Sequence, residues 1–301
     1  MDIKTKVRDT SAAPAPRLAS AGLRYQKTAG GWGVEGFYEG YRLVFYGGPI
    51  LPAAKGHAVL PLFKKTVPAP KSATGSVNIY SLFSKNARQA WELAYKLCKK
   101  RKGQEVGLED VFLALLKSPS VKNLFSRTKV STEAAETLLA NYLKLTPATS
   151  GTVVQKIPFE AFVQALKIHN HKIGSLMLLA AVFRLAPENN ILRAIFANVG
   201  LNLNKLEILS AWILDLDYDF PEGSNEAKLL FCCRQAQSLE QHLGYFFEFP
   251  AIEAAVSFSS KQTLKDLEHK KALQLLVKAA GLAKQKGKKT ISKELVRQAA
   301  K

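Results

Sequence analysis

The feature that most constrains this chain is a short pattern that it uses twice. Val106-Gly-Leu-Glu-Asp-Val-Phe-Leu-Ala-Leu-Leu-Lys117 sets a β-branched residue and a glycine ahead of an apolar helical run that ends on a cation. Ile173-Gly-Ser-Leu-Met-Leu-Leu-Ala-Ala-Val-Phe-Arg184 does the same. A repeated supersecondary unit buries its apolar face against its neighbour, so the pattern predicts two copies of one helical unit.

The flanking residues extend the repeat. Ala87, Ala90, Trp91, Ala94, Leu97 and Cys98 recur at spacings of three and four, with Ser84 as N-cap and residues 99–103 as a basic, glycine-terminated stop. Further helices are expected after Gly107, from Pro119 through Phe125, and over about 132–143. The second copy opens near Pro158, with Phe162, Ala165, Leu166 and His169 as its buried stripe. It continues after Gly174, over 190–197 and over 206–214. Gly200-Leu201-Asn202 stands where Lys129-Val130-Ser131 stands in the first copy.

The expected fold is mainly α: two repeated four-helix units (80–145 and 146–214) plus a small C-terminal helical domain (224–301). An acidic linker, 215–223, separates them. Upstream, 1–22 reads as a disordered tail and 67–79 as a linker. Between them, 23–66 is rich in aromatics and glycine, with Tyr41, Leu43 and Phe45 alternating, and predicts a short β-hairpin-like region.

Composition narrows the classes. Of the 301 residues 47% are hydrophobic and 22% charged, as in ordinary globular chains, but the net charge is +19. That balance favours acidic partners: nucleic acid, an anionic surface or an acidic protein. Cys98 and the adjacent Cys232 and Cys233 have neither disulfide-framework nor zinc-knuckle spacing. The opening MDIKTKVRDT has no apolar core, and the apolar stretch 174–183 is too short to span a bilayer. A cytoplasmic protein with reduced thiols and no transmembrane segment is expected.

Phe83-Ser-Lys-Asn-Ala87, Val106-Gly-Leu-Glu109 and Phe112-Leu-Ala-Leu-Leu116 together resemble the first half of a Clp repeat domain, the double helical module at the N-terminus of the Clp unfoldase ATPases. The stretch from about 157 to 214 is similar to the second half, with Leu176 and Met177 in the places of Glu109 and Asp110. Residues 224–301 resemble a degenerate AAA+ lid domain through LEQHLGYFFEFPAIEAAVSFSS, KKALQLLVKAA and KKTISKELV. The family's sensor arginine has no counterpart in 261–266.

The resemblance implies a non-enzymatic interaction module that binds substrates or adaptors for Clp-type protein quality control. It further implies that Ser84 and Glu109 recognise phosphorylated arginine, the phosphate at the helix N-terminus and the guanidinium on the carboxylate. The bland reading keeps Ser84 as a cap and Glu109 as an early-turn acid that folding can do without. Two rivals remain open: a protein that binds nucleic acid or an anionic surface, and a regulatory subunit docking on an AAA+ Clp ring.

No enzymatic activity, cofactor or metal is expected. No GxxxxGK[ST] loop occurs; Gly281 with Gly287-Lys-Lys-Thr290 has the wrong spacing, and ILDLD (213–217) only superficially mimics a Walker B strand. His169 and His171 diverge at i and i+2 on a helix. Glu35 and Glu39 read as strand-edge charges. The basic segments 99–102 and 284–289 read as solvated helix ends that could also grip phosphates.

Overall fold

The computed structural model describes residues 24–28, 31–38 and 41–45 by backbone, and then 76–103, 105–145, 151–167, 170, 172–198, 200–215, 220–221, 223–260 and 268–301. Strand β1 (Arg24–Thr28) pairs antiparallel with β2 (Gly31–Tyr38), which pairs antiparallel with β3 (Tyr41–Phe45). β4 (Ser76–Asn78) runs parallel to β3 and leads into a 3-10 turn, Ile79–Leu82. The linker expected over 67–79 therefore ends earlier than its composition suggests. Ile79, at its supposed end, is fully buried.

The chain from there is helical. α1 (Lys85–Lys100), α2 (Leu108–Leu115), α3 (Pro119–Arg127) and α4 (Thr132–Leu145) form the first unit. The short α5 (Gly151–Val154) precedes α6 (Ile157–Lys167), α7 (Ser175–Leu185), α8 (Ile191–Asn198) and α9 (Leu203–Leu214). In α6 the buried ring is Phe159, while Phe162 is only partly covered; the side chains of Leu166 and His169 lie outside the described residues.

The two copies share local geometry at several points. Gly107 (φ −99°, ψ 171°) and Gly174 (φ −89°, ψ 171°) are both N-caps in extended backbone. Lys129 (φ 63°) and Gly200 (φ 65°) both turn left-handed after α3 and α8. Val130 N then donates to Phe125 O at 3.0 Å, and Leu201 N to Phe196 O at 2.9 Å. Next, Ser131 Oγ accepts from Ala134 N, and Asn202 Oδ1 from Lys205 N.

The units also interlock. α2 packs on α7, α4 reaches α8, and α9 reaches α3. Phe112 meets Phe196 edge-on at 5.3 Å between centroids, so one core runs through both units.

One expected stop is corrected. The left-handed residue after α1 is Lys102 (φ 59°), not Gly103. The glycine instead makes room, since a Cβ there would fall 2.5 Å from Arg101 Nη1. That guanidinium cannot easily yield, because its Nε and Nη2 hold the Asp110 carboxylate at 2.8 and 2.6 Å.

The C-terminal unit comprises α10 (Asn225–Leu243), β5 (Phe246–Phe247), α11 (Phe249–Ser260), α12 (Glu268–Gln285), β6 (Thr290–Ile291) and α13 (Lys293–Ala299). Ser224 caps α10, its Oγ accepting from Ala227 N, and Gly244 (φ 69°) ends it. The parallel pairing of β5 with β6 is too short to leave a periodic signal in the sequence.

This unit docks on the repeats through charge. Buried Arg127, at the end of α3, donates to both Glu240 oxygens at 2.7 and 2.9 Å and to Phe247 O at 3.1 Å. Its guanidinium lies 3.9 Å from the Trp212 ring centroid and 4.7 Å from that of Phe246. Lys129 meets Glu248 at 2.9 Å, and Lys205 meets Glu253 at 2.9 Å. The hydrogen bond to Glu248 raises the Lys129 pKa. Its stabilisation is therefore present below the ordinary lysine range and lost as pH rises through the raised value.

Replacing Arg127 with Ala strands Glu240 and removes the ring stacking. A destabilisation of about 3–5 kcal/mol is expected from loss of one partner of a buried pair. Urea unfolding of the variant checks it; a loss below about 1 kcal/mol would mean that apolar packing alone docks the C-terminal unit.

Candidate functional site: a cationic cleft at the start of α1

Ser84 is held from two directions. Its Oγ accepts from Ala87 N at 3.2 Å, the cap that starts α1. Its own N–H donates to Ile173 O at 2.9 Å, while Ile173 N donates to Leu82 O at 2.9 Å. This parallel bridge between Phe83 and Ile173 ties the second unit to the first helix of the first. It also carries Lys172 to the mouth of α1.

A cleft of about 410 Å3 results, lined by Ser81, Phe83, Ser84, Lys85, Arg88, Gln89, Glu92 and Lys172. Arg88 is exposed yet anchored: its Nη2 donates to Ser81 O at 2.9 Å, and its guanidinium sits 5.5 Å from the Tyr80 centroid. Three cations and a helix N-terminus surround the opening, with a single carboxylate, Glu92, on its wall. Such an arrangement accepts an anion and offers one partner for an attached cation.

Glu109 is not among the residues that line this cleft. It is 1% exposed, and its Oε1 accepts from Asn190 Nδ2 of the second unit at 2.7 Å. Leu176, at the matching position of the second copy, is fully buried too. The position is interior in both halves, which corrects the expectation of a dispensable early-turn acid. Ser84 and Glu109 thus do not share an open site.

Lys85, Arg88, Glu92 and Lys172 were missed as site residues. Lys85, Arg88 and Glu92 carried a signal, lying three and four apart along α1. Lys172 carried none, because only the cross-unit bridge brings it there.

Other sequence candidates resolve into structure. Of the basic run 99–102, Arg101 is committed to Asp110, whose Oδ2 also accepts from Gly107 N at 2.8 Å. Gly281 lies within α12 and Gly287 turns left-handed after it, so these glycines do not flank a strand-to-helix loop. Ile213 and Leu214 end α9 rather than belonging to a strand. His169 and His171 lie outside the described residues. Among the described residues no His, Cys, Asp and Glu cluster could hold a metal, and no helix is long and apolar enough to cross a membrane.

All three cysteines are free and buried. Burial pushes the Cys98 thiol up to about 11 and that of Cys232 to about 12, and raises Cys233 well above the usual range. None is a nucleophile at neutral pH.

A scan of the chain against protein-family models gives no match, and neither does a search of the curated proteins.

Two outcomes follow. Glu109→Ala removes a buried charge-assisted bond and is expected to cost about 1–3 kcal/mol in thermal or urea unfolding, while Glu109→Gln keeps an acceptor for Asn190 and loses less. Equal stability of wild type and Glu109→Ala would return Glu109 to the surface. The native thiols are expected to resist a disulfide reagent at neutral pH and to react fully in denaturant; prompt labelling of the native protein would contradict their burial.

Proposed function

We infer that this protein is a non-catalytic interaction module of the Clp-repeat type, presenting substrates or adaptors to Clp-type chaperone or protease machinery. The observation that carries the reading is the cleft at the start of α1, assembled from both copies of a duplicated helical unit. Duplication supports it twice: in the matched glycine caps and left-handed turns, and in the way one copy supplies Ile173 and Lys172 to the other's helix start.

The chemistry proposed is recognition of a phosphorylated arginine on a client. Ser84 and the α1 N–H groups would face the phosphate, with Lys85, Arg88 and Lys172 supplying charge. Glu92 would take the guanidinium, the role first given to Glu109. A small cleft that pairs with both ends of one side chain gains specificity from two charge-assisted contacts.

Calorimetric titration with a phosphoarginine peptide tests it, with the unphosphorylated peptide as control. Binding to wild type is expected, with a roughly tenfold to hundredfold loss for Arg88→Ala and for Glu92→Gln, each equivalent to one charge-assisted bond. Both side chains are accessible, so circular dichroism should stay unchanged. Absence of binding by the folded wild type, or equal affinity in both variants, overturns the assignment of the cleft.

A further inference from the structure

We propose that the outer edge of the C-terminal unit, formed by the end of α12, the turn after it and α13, binds the phosphodiester backbone of nucleic acid. From His269 onward the chain carries ten lysines and arginines against one carboxylate, Glu294. Lys284, Lys286, Lys288, Lys289, Lys293 and Arg297 are all exposed, and the one carboxylate of the stretch, Glu294, answers both nearby Arg297 and, at 3.8 Å, Lys129 of the repeats. Lys286 Nζ instead meets Gln298 Oε1, which ties the end of α12 to α13 and brings the cations of both elements to one edge.

The charge is one-sided for a structural reason. Glu240, Glu248 and Glu253 of this unit point to the repeats, where they pair with Arg127, Lys129 and Lys205. Glu294 of α13 also reaches Lys129, so the carboxylate nearest the edge is shared with that interface and the lysines of 284–289 are left with little compensation. The surface is also open: Cβ atoms added at Gly281 or Gly287 would meet nothing within 4 Å.

What is missing from the edge selects the ligand. The stretch from 269 onward has no Phe, Tyr or Trp, and the rings that adjoin the turn, Tyr245 and Phe246 beside β6, are half-buried with Phe246 under Arg127, so base stacking is secondary here. Among its described residues Val277 is the one exposed large apolar side chain, too little to insert into a bilayer. Ionic contact with phosphates, indifferent to sequence, is what remains. This inference does not depend on the α1 cleft.

Fluorescence anisotropy of the full chain with a short labelled DNA duplex of mixed sequence tests it across a salt series. The logarithm of affinity is expected to fall linearly with the logarithm of salt, by about 0.9 for each phosphate neutralised. Changing Lys284, Lys286, Lys288 and Lys289 together to Gln should lower the slope by about 3–4 and the affinity at least about tenfold. A control of equal charge change, with exposed Lys96, Lys99, Lys100 and Lys122 made Gln, should retain most of the binding. Should the fourfold variant melt early, Lys288→Gln with Lys289→Gln alone should still lower the slope by about 2. No duplex binding at low salt, equal losses in variant and control, or phosphatidylserine vesicles bound in preference to duplex would each overturn the proposal.

Discussion

The guanidinium of Arg127 is the point at which all three helical units meet. It closes α3 of the first unit, stacks on Trp212 from the second, and holds Glu240 and Phe247 O of the third. Glu240 in turn accepts from Phe247 N at 2.7 Å, so one carboxylate fixes both the docking and the path of the chain after α10. A buried ion pair adds little net stability over apolar packing, since desolvation offsets much of its attraction. Its larger effect is on alternatives: any docking that separates the pair leaves two charges dry.

That constraint organises charge across the molecule. Among the described residues, the ion pairs that join the repeats to the C-terminal unit all take their cation from the repeats and their carboxylate from the C-terminal unit. A chain with few acids that places several of them at one interface leaves its other faces strongly positive. The lysines of 284–289 are left with little compensation as a result.

The helices were legible because period and caps agreed. Ser84 is legible as the residue whose oxygen meets the third N–H, and the apolar residues after it keep helical spacing; Asn202 and Ser224 cap α9 and α10 in the same way but were missed as caps. The equivalence of Lys129 with Gly200 was legible as well, although one is a lysine in a left-handed conformation that favours glycine. What the sequence did not reveal depends on distant partners. Arg127 looks like an ordinary last-turn cation, and nothing nearby announces Glu240 or Trp212. The two-residue strands β5 and β6 are defined only by each other. Lys172 reads as a surface charge until the Phe83–Ile173 bridge brings it to α1.

Glu109 illustrates the same limit from the other side. Its type and its place one residue after the start of α2 suggest solvent and a helix dipole, whereas Leu176 at the matching position is plainly core. The matched helix starts at Gly107 and Gly174 put both positions on the inner side of their helices, and both are buried. A carboxylate can occupy such a position only with a donor opposite, and Asn190 provides it from the second unit while its Oδ1 accepts from Leu192 N at 2.8 Å. One asparagine thus starts α8 and satisfies α2 of the other copy. Conversely, Met177 stands where Asp110 answers Gly107 N, a weak thioether acceptor 2.9 Å from Gly174 N. The start of α7 therefore relies on burial where the start of α2 relies on polar bonds, although the backbone at the two glycine caps is alike.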